Sequence, residues 1–371
     1  MAIDPDGWRR VETCLARLVQ EEGVTGIAVA AGRTSGPINT SVRGRVRPGG
    51  RALASDDIFP VASITKLFVA TAAVGLLEEG RLTLGEKVCR ILPDFRGPGR
   101  AAIRVRHLLT HTSGLPDLLP DDAELRRRLA PLDEFRRRSL DVPLAFEPGR
   151  GAAYSSLGFL WLADVIHTVG GTPIDERLRQ TLFAPLGMAD TRLGPHGVDD
   201  DFDARRIDVE LDDRQRLLGE GHWNSRYWLD LAAPWGGGFS TAGDLAVFAR
   251  AVLAASRGAD GNTGPGRPVL SSAAVETMLS DQLGPMPDVP EPERRCRPWG
   301  LGWQLFWPNH PRYFGDLLPP TAAGHGGANG TVLWLDREND RFAVILTTRP
   351  VGGRSTHLAR LSNAIAASFR R

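Results

Sequence analysis

Lysine is nearly absent from this 371-residue chain: two of its 45 basic residues are lysines, Lys66 and Lys87, and the others are arginine. Tyrosine is almost as scarce, with Tyr154, Tyr227 and Tyr313 only. Three cysteines, Cys14, Cys89 and Cys296, lie far apart with no C-x-x-C pair and no zinc-ligand spacing. They read as reduced, structural thiols and exclude a disulfide framework. The longest apolar run, 67–77, is shorter than the roughly 20 residues that span a bilayer, so no membrane segment is expected. The first residues lack the apolar core and small-residue cleavage site of an export signal, and Asp4 and Asp6 come early. A cytoplasmic protein is the expectation. An excess of charge of one sign is also missing, since 45 Lys+Arg balance 44 Asp+Glu for a net charge of +1. That balance excludes a generic electrostatic nucleic-acid binder, so no nucleic-acid partner is expected.

The composition that remains, 42% hydrophobic and 24% charged, is that of a globular protein. Its length suits two domains or one large one. Val11, Leu15, Leu18 and Val19 have helical spacing, which predicts an amphipathic first helix. Residues 24–31 and 39–46 read as β-type segments joined through a turn at 34–37. The period then changes, and a long apolar helix is predicted to open at or just before Ser63 and run through Leu67, Ala70, Val74 and Leu77, with Gly80 as its stop. Short helices broken by Pro and Gly follow to about residue 250. The stretch 256–298 reads as surface loop around one short helix near 272–279. Strands are predicted at 300–307, 330–335 and 341–347, and a closing helix at 355–369. Strands at both ends with helices between imply an α/β (α+β) protein, in which 1–80 and 240–371 build one domain and 81–239 form an inserted, mainly helical one. The arginine runs 126–128 and 136–138 interleave with Glu124, Asp133 and Glu134, which reads as a solvated helix face. A docking patch for an acidic carrier protein is the sharper alternative.

The scarcity of lysine directs attention to Lys66, three residues after Ser63 in Val61-Ala62-Ser63-Ile64-Thr65-Lys66. Positions i and i+3 of a helix share a face, so the hydroxyl and the amine can be hydrogen-bond neighbours. A serine hydroxyl needs a base to become a nucleophile, and a buried lysine with a depressed pKa can be that base. Arginine cannot, because its guanidinium does not deprotonate. Lys87 lies on an ordinary polar stretch. Tyr154, in Ala153-Tyr154-Ser155-Ser156 ahead of an apolar run, carries a phenol able to relay a proton to a leaving group. Ala323-Gly324-His325-Gly326-Gly327-Ala328-Asn329-Gly330 precedes a strand, and its glycines permit close approach of a substrate to backbone amides.

Together these three segments resemble the active-site motifs of the class C β-lactamase-like serine hydrolases, a family of β-lactamases, D,D-peptidases, D-aminopeptidases and esterases. Further segments strengthen the resemblance: Arg106-His107-Leu108-Leu109-Thr110-His111-Thr112-Ser113-Gly114-Leu115-Pro116, Pro185-Leu186-Gly187-Met188, the run from Gly236 to Leu245, and Gly300-Leu301-Gly302-Trp303. The resemblance implies a β-lactamase/transpeptidase-like fold, a mainly antiparallel sheet flanked by helices plus the helical domain, with the active site between the two. It implies Ser63 as acylated nucleophile, Lys66 as general base and Tyr154 as proton relay. His325 takes the place of the third motif's basic residue, and the amides of Ser63 and Ala328 form the oxyanion hole. Ser156, Gly326, Gly327 and Asn329 are implied to border the substrate.

Two departures shape the expected chemistry. His325-Gly326-Gly327 stands where β-lactamases carry Lys-Thr-Gly, and Ser156 stands where the family usually has Asn. Both point away from β-lactam hydrolysis and toward a serine hydrolase acting on small ester, amide or thioester substrates. The alternative is a carrier-protein thioesterase or acyltransferase that releases or cyclises a peptide. No cofactor and no metal are expected: His107 and His111, four residues apart, lack a third ligand nearby and read as structural. Trp223, Trp228 and Trp235 precede the glycines at 236–238 and are candidates to line an acyl pocket, Trp223 and Trp235 foremost.

Overall fold

The structure is a computed structural model describing residues 3–258, 269–296, 298–305, 314–352 and 356–369. Its main sheet draws strands from both ends of the chain: β1 (Gly26–Gly32), β2 (Asn39–Gly44), β6 (Gln304–Leu305), β7 (Ala323–Gly327), β8 (Thr331–Asp336) and β9 (Arg341–Thr347). They are ordered β2-β1-β9-β8-β7-β6 and every neighbouring pair is antiparallel. A second, three-stranded sheet joins β3 (Phe59–Pro60), β5 (Gly238–Ser240) and β4 (Arg192–Leu193).

Apart from its edge strand β2, which has no buried residue, the main sheet is covered on both faces, and its period-2 side chains sort into two cores. Ile27, Val29, Val332, Trp334 and Ile345 pack against the helices Pro5–Gln20 and His357–Ala366. Ala28, Ala30, Leu333, Leu335, Val344 and Leu346 face the other way, into the large core that includes Leu245 and Phe248 of the helix Ala242–Ala255. Val11, Leu15 and Leu18 are buried, as the amphipathic spacing of the first helix requires, and Asp4 caps that helix through the Asp6 amide. At the centre of the large core the helix Thr65–Glu78 is buried on almost every face. It packs against the helix Ser156–Gly170, which Ser155 caps by accepting the Gly158 amide at 2.9 Å. Among the described residues, no single helix is long and apolar enough to cross a membrane.

Several sequence expectations need correction. The glycine-rich stretch at 323–327 is itself a strand, because β6 and β8 supply hydrogen-bond partners on both sides. The strand expected at 300–307 is described only at Gln304–Leu305; residues 306 and 307 lie outside the described residues, as does Ser355 of the closing helix. The stretch 256–298 is more than loop around one helix. Besides Ser272–Met278 it holds the helix Glu291–Cys296, and Leu283 and Val289 join Ala152 and Trp299 in a small apolar cluster that touches Tyr154. Its residues 259–268 and 297 lie outside the described residues. The three-stranded sheet is absent from the sequence reading because strands of two or three residues carry no measurable periodicity.

Candidate active site

Ser63 sits in the 3-10 turn Ala62–Ile64 that leads into the helix Thr65–Glu78. Ala62, just before it, has φ of +46°, a left-handed conformation that costs a non-glycine residue energy. Hydrogen bonds from three directions hold it. Thr65 Oγ1 donates to the Ala62 carbonyl at 2.6 Å and accepts the Gly238 amide at 2.9 Å. The Val61 amide donates to the Gly238 carbonyl at 2.9 Å, and Thr331 Oγ1 donates to the Val61 carbonyl at 3.0 Å. Asn329 Nδ2 donates to the Pro60 carbonyl. Both sheets therefore brace the turn that carries Ser63.

Lys66, in the first turn of that helix, is fully buried. Its Nζ lies 3.3 Å from Ser63 Oγ and donates to the Trp235 carbonyl at 2.7 Å. The Tyr154 ring centroid is 4.7 Å from Nζ and that of Phe159 5.7 Å. Burial lowers the amine's pKa to about 7, against a smaller opposing pull from the Asp117 carboxylate. An amine neutral near pH 7 can take the Ser63 proton while Trp235 fixes its orientation.

Tyr154 belongs to a packed aromatic group. Its ring lies 4.6 Å from His111, 5.9 Å from Trp299 and 5.9 Å from His325, centroid to centroid. His111 also meets the Trp299 ring edge-on at 4.3 Å, and its Nδ1 accepts the Ser155 amide at 3.1 Å. Burial, then the nearby Lys66 and His325, hold its pKa well below the ordinary histidine value, so His111 is a neutral platform under Tyr154. His107 Nδ1 accepts the Arg104 amide at 3.2 Å. Each histidine of the pair is thus engaged by backbone. His325, in the stretch expected to precede a strand, is itself on β7, 2% exposed, with Nδ1 2.7 Å from the Gly326 carbonyl.

Ser63, Tyr154 and His325 border one cavity of about 660 Å³. Ala328, Ser156, Gly326, Asn329, Trp223 and Trp235 line it too. Gly327 does not line it. A Cβ there would stand 2.8 Å from the Val61 carbonyl oxygen and 3.1 Å from Ala62 Cβ, so this glycine lets β7 press against the Ser63 turn. Asn329 borders the cavity, but its amide braces Pro60 and its Oδ1 lies 3.2 Å from Thr331 Oγ1. Ser156 Oγ donates to Asp117 Oδ1 at 2.7 Å, which turns a carboxylate, rather than a side-chain amide, into the cavity wall.

Trp228, the remaining tryptophan of the expected cluster, lines the cavity as well, as do four residues not anticipated there, Asp117, Arg126, Gln215 and Trp299. Arg126 corrects the solvated-face reading of the first arginine run, because it is 7% exposed. The other arginines of the two runs do meet acidic neighbours: Arg127 pairs with Glu124, Arg128 and Arg137 with Glu134, Arg136 with Asp133 and Asp164, and Arg138 with Asp121.

An antiparallel sheet between helical layers, with a serine packed beside β7 and β8 one helical turn from a buried lysine, defines a penicillin-binding-protein-like serine hydrolase fold. The sequence profile of the Beta-lactamase family matches residues 11–368, and the chain belongs to that family. It is 29% identical over 319 residues to penicillin-binding protein 4 of Amycolatopsis lactamdurans, covering 84% of this chain and 76% of that protein. It is 30% identical over 346 residues to lovastatin esterase of Penicillium rubens, covering 80% and 82%. The solved structure of EstCE1, described as a hydrolase with promiscuous acyltransferase activity, superimposes with a TM-score of 0.76 at 18% identity, over 97% of this chain and 98% of that one.

Proposed function

We propose that the protein hydrolyses carboxylic esters, or similarly activated acyl groups, through an acyl-enzyme on Ser63. The observation that carries this reading is the fully buried Lys66 amine 3.3 Å from Ser63 Oγ. As Oγ attacks the substrate carbonyl, neutral Lys66 takes the hydroxyl proton, and the oxyanion is held by the amides of Ser63 and Ala328. The proton then passes from Lys66, with Tyr154, to the departing alkoxide. Water attacks the acyl-enzyme by the reverse relay and releases the acid. His325 stands beside Tyr154 as part of the leaving-group wall. His325 in place of the lysine of the Lys-Thr-Gly motif, and Ser156 facing Asp117, support esters over β-lactams. Three free cysteines support a reducing, cytoplasmic setting.

Acyl transfer is the second reading. The cavity of about 660 Å³, walled by tryptophans, supports it by leaving room for an acceptor other than water. A carrier-bound thioester is the donor that this version calls for.

The test uses nitrophenyl esters of graded chain length, a chromogenic cephalosporin and a peptidyl thioester, with Ser63→Ala as control. Ester turnover, a covalent adduct at Ser63 with a fluorophosphonate probe and loss of both in Ser63→Ala are expected. Ester turnover that survives Ser63→Ala overturns the assignment, and cyclic product from the thioester with negligible ester turnover moves the conclusion to transfer.

A further inference from the structure

The proposed chemistry leaves one charged group on the cavity wall unused. Arg126, on the helix Asp122–Arg127, borders the cavity beside Gln215, Trp223 and Trp228. Its Nε donates to the Gly221 carbonyl at 2.9 Å, and its Nη2 donates to the same carbonyl at 2.7 Å and to Gln215 Oε1 at 3.0 Å. The guanidinium carbon lies 4.6 Å from the Trp228 ring centroid. Every one of these partners is neutral. Asp122, one turn earlier, acts on Arg126 through space, but no carboxylate among the described residues makes an ion pair with it. Among the described residues Nη1 meets no acceptor. Gln215, which turns its oxygen to Arg126, leaves its Nε2 amide without a partner among those residues too.

A largely buried guanidinium whose hydrogen-bond partners are all neutral, with Asp122 acting only through space, is short of the direct counter-charge that ordinarily offsets lost hydration. An incoming anion supplies that charge, and gains charge-assisted hydrogen bonds in a poorly hydrated place. The acidic groups nearby narrow the choice of anion. Asp117 lines the same cavity and Asp122 lies on the Arg126 helix, so a dianion such as a phosphate ester meets more repulsion than a single carboxylate. Two planar donors against an indole face also suit a planar carboxylate.

The position of this group relative to the nucleophile follows from Trp228. Its Cζ2 is 3.9 Å from where a side chain on Gly236 would begin, and Gly236 abuts Ala62, the residue before Ser63. One indole therefore bridges the nucleophile turn and the guanidinium. Tyr154, which serves the leaving group, contacts Trp299 and His325 instead, which leaves the Trp228–Arg126 wall to the acyl chain.

We infer that Arg126 and Gln215 form a carboxylate subsite, and that the preferred substrate is an ester whose acyl chain ends in a carboxylate remote from the scissile carbonyl. This substrate class rests on the ester-hydrolase reading of Ser63.

The test compares p-nitrophenyl hemiesters of linear dicarboxylic acids, from adipate to sebacate, with the same esters capped by methyl at the far carboxylate. The wild-type protein is expected to favour the free carboxylate by tenfold or more in kcat/KM, with a maximum at one chain length. Arg126→Met should bring the paired rates within threefold of each other, and Arg126→Lys should keep part of the preference. A wild-type ratio near one at every length, or a preference unchanged in Arg126→Met, overturns the inference. The wild-type series needs no variant and decides the matter even where Arg126→Met fails to fold. Binding of monomethyl suberate to the Ser63→Ala protein, read by tryptophan fluorescence, separates the two claims. If no ester turns over but the Ser63→Ala protein binds monomethyl suberate and loses that binding when Arg126→Met is added, the ester reading falls and the subsite stands. Ester turnover with neither preference nor binding removes the subsite alone.

Discussion

Lys66 Nζ donates to the Trp235 carbonyl at 2.7 Å, closer than its 3.3 Å approach to Ser63 Oγ. The carbonyl holds the amine in place without lending it a negative charge, so burial governs its protonation and its pKa falls to about 7. The base form grows as pH rises through that value.

Turnover of an ester is therefore expected to lose about tenfold in kcat/KM per pH unit below about 7 and to level off above it. Lys66→Arg removes the titration, because arginine stays protonated. It should lower kcat/KM by about 10³-fold and erase the rising limb. A wild-type profile flat from pH 5 to 8 would contradict Lys66 as the base.

The same burial costs stability. Lys66 binds its proton more weakly in the folded chain than in the unfolded one, where its ordinary value of 10.5 applies. The cost is fully present below about 7 and declines as pH climbs toward 10.5, because only the unfolded state still gains by holding the proton. Lys66→Met should thus stabilise the fold at pH 6 by about 2 kcal/mol or more, given about 1.4 kcal/mol per pKa unit, and the advantage should shrink by pH 10. Urea denaturation at the two pH values measures both. An equal difference at pH 6 and pH 10 would rule out a strained, proton-poor lysine.

How far these features were legible in the sequence depended on the residue. Lys66 stood out because arginine fills almost every other basic position, and a lysine that persists there implies chemistry arginine cannot do. The sheet was legible where strands of six or seven residues carry their own pattern, as in β1, β8 and β9. Arg126 was hidden by its neighbours. Successive helical residues point about 100° apart, so one arginine of three can turn inward while the two beside it pair with Glu124 and Glu134, and composition averages over all three. Trp299 and Asp117 reach the cavity from segments far apart in sequence, and no local spacing reports such a meeting.

Thr65 is the hinge of the turn that carries Ser63. Its hydroxyl donates to the Ala62 carbonyl and accepts the Gly238 amide in a site with no solvent exposure. Thr65→Val keeps the shape and removes both bonds, taking the acceptor from the buried Gly238 amide while the Ala62 carbonyl keeps only the Thr65 amide. A loss of about 2 kcal/mol in stability is expected, with a fall in kcat as Ala62 relaxes from its positive φ and carries Ser63 with it. Thr65→Ser restores both bonds and should recover most of the activity. If Thr65→Val matched the wild type in urea midpoint and in kcat, the turn would not depend on this hydroxyl.

Gly302 touches the site from behind. Its amide donates to the Leu109 carbonyl at 2.8 Å and its φ is +75°. A Cβ there would fall 2.4 Å from Ala70 Cβ and 3.7 Å from the Lys66 carbonyl oxygen. Gly302→Ala therefore pushes on the helix that carries Lys66, one turn beyond it, and should cost about 3 kcal/mol or more from the overlap together with the left-handed backbone. Protein that still folds should lose kcat through displacement of the amine from Ser63. Adding Ala70→Gly removes the methyl that is struck but leaves the φ penalty of about 1–2 kcal/mol. The double variant should thus recover part of the stability and most of the rate. If Ala70→Gly gives no recovery, the damage lies in the backbone conformation at residue 302 and not in contact with the helix.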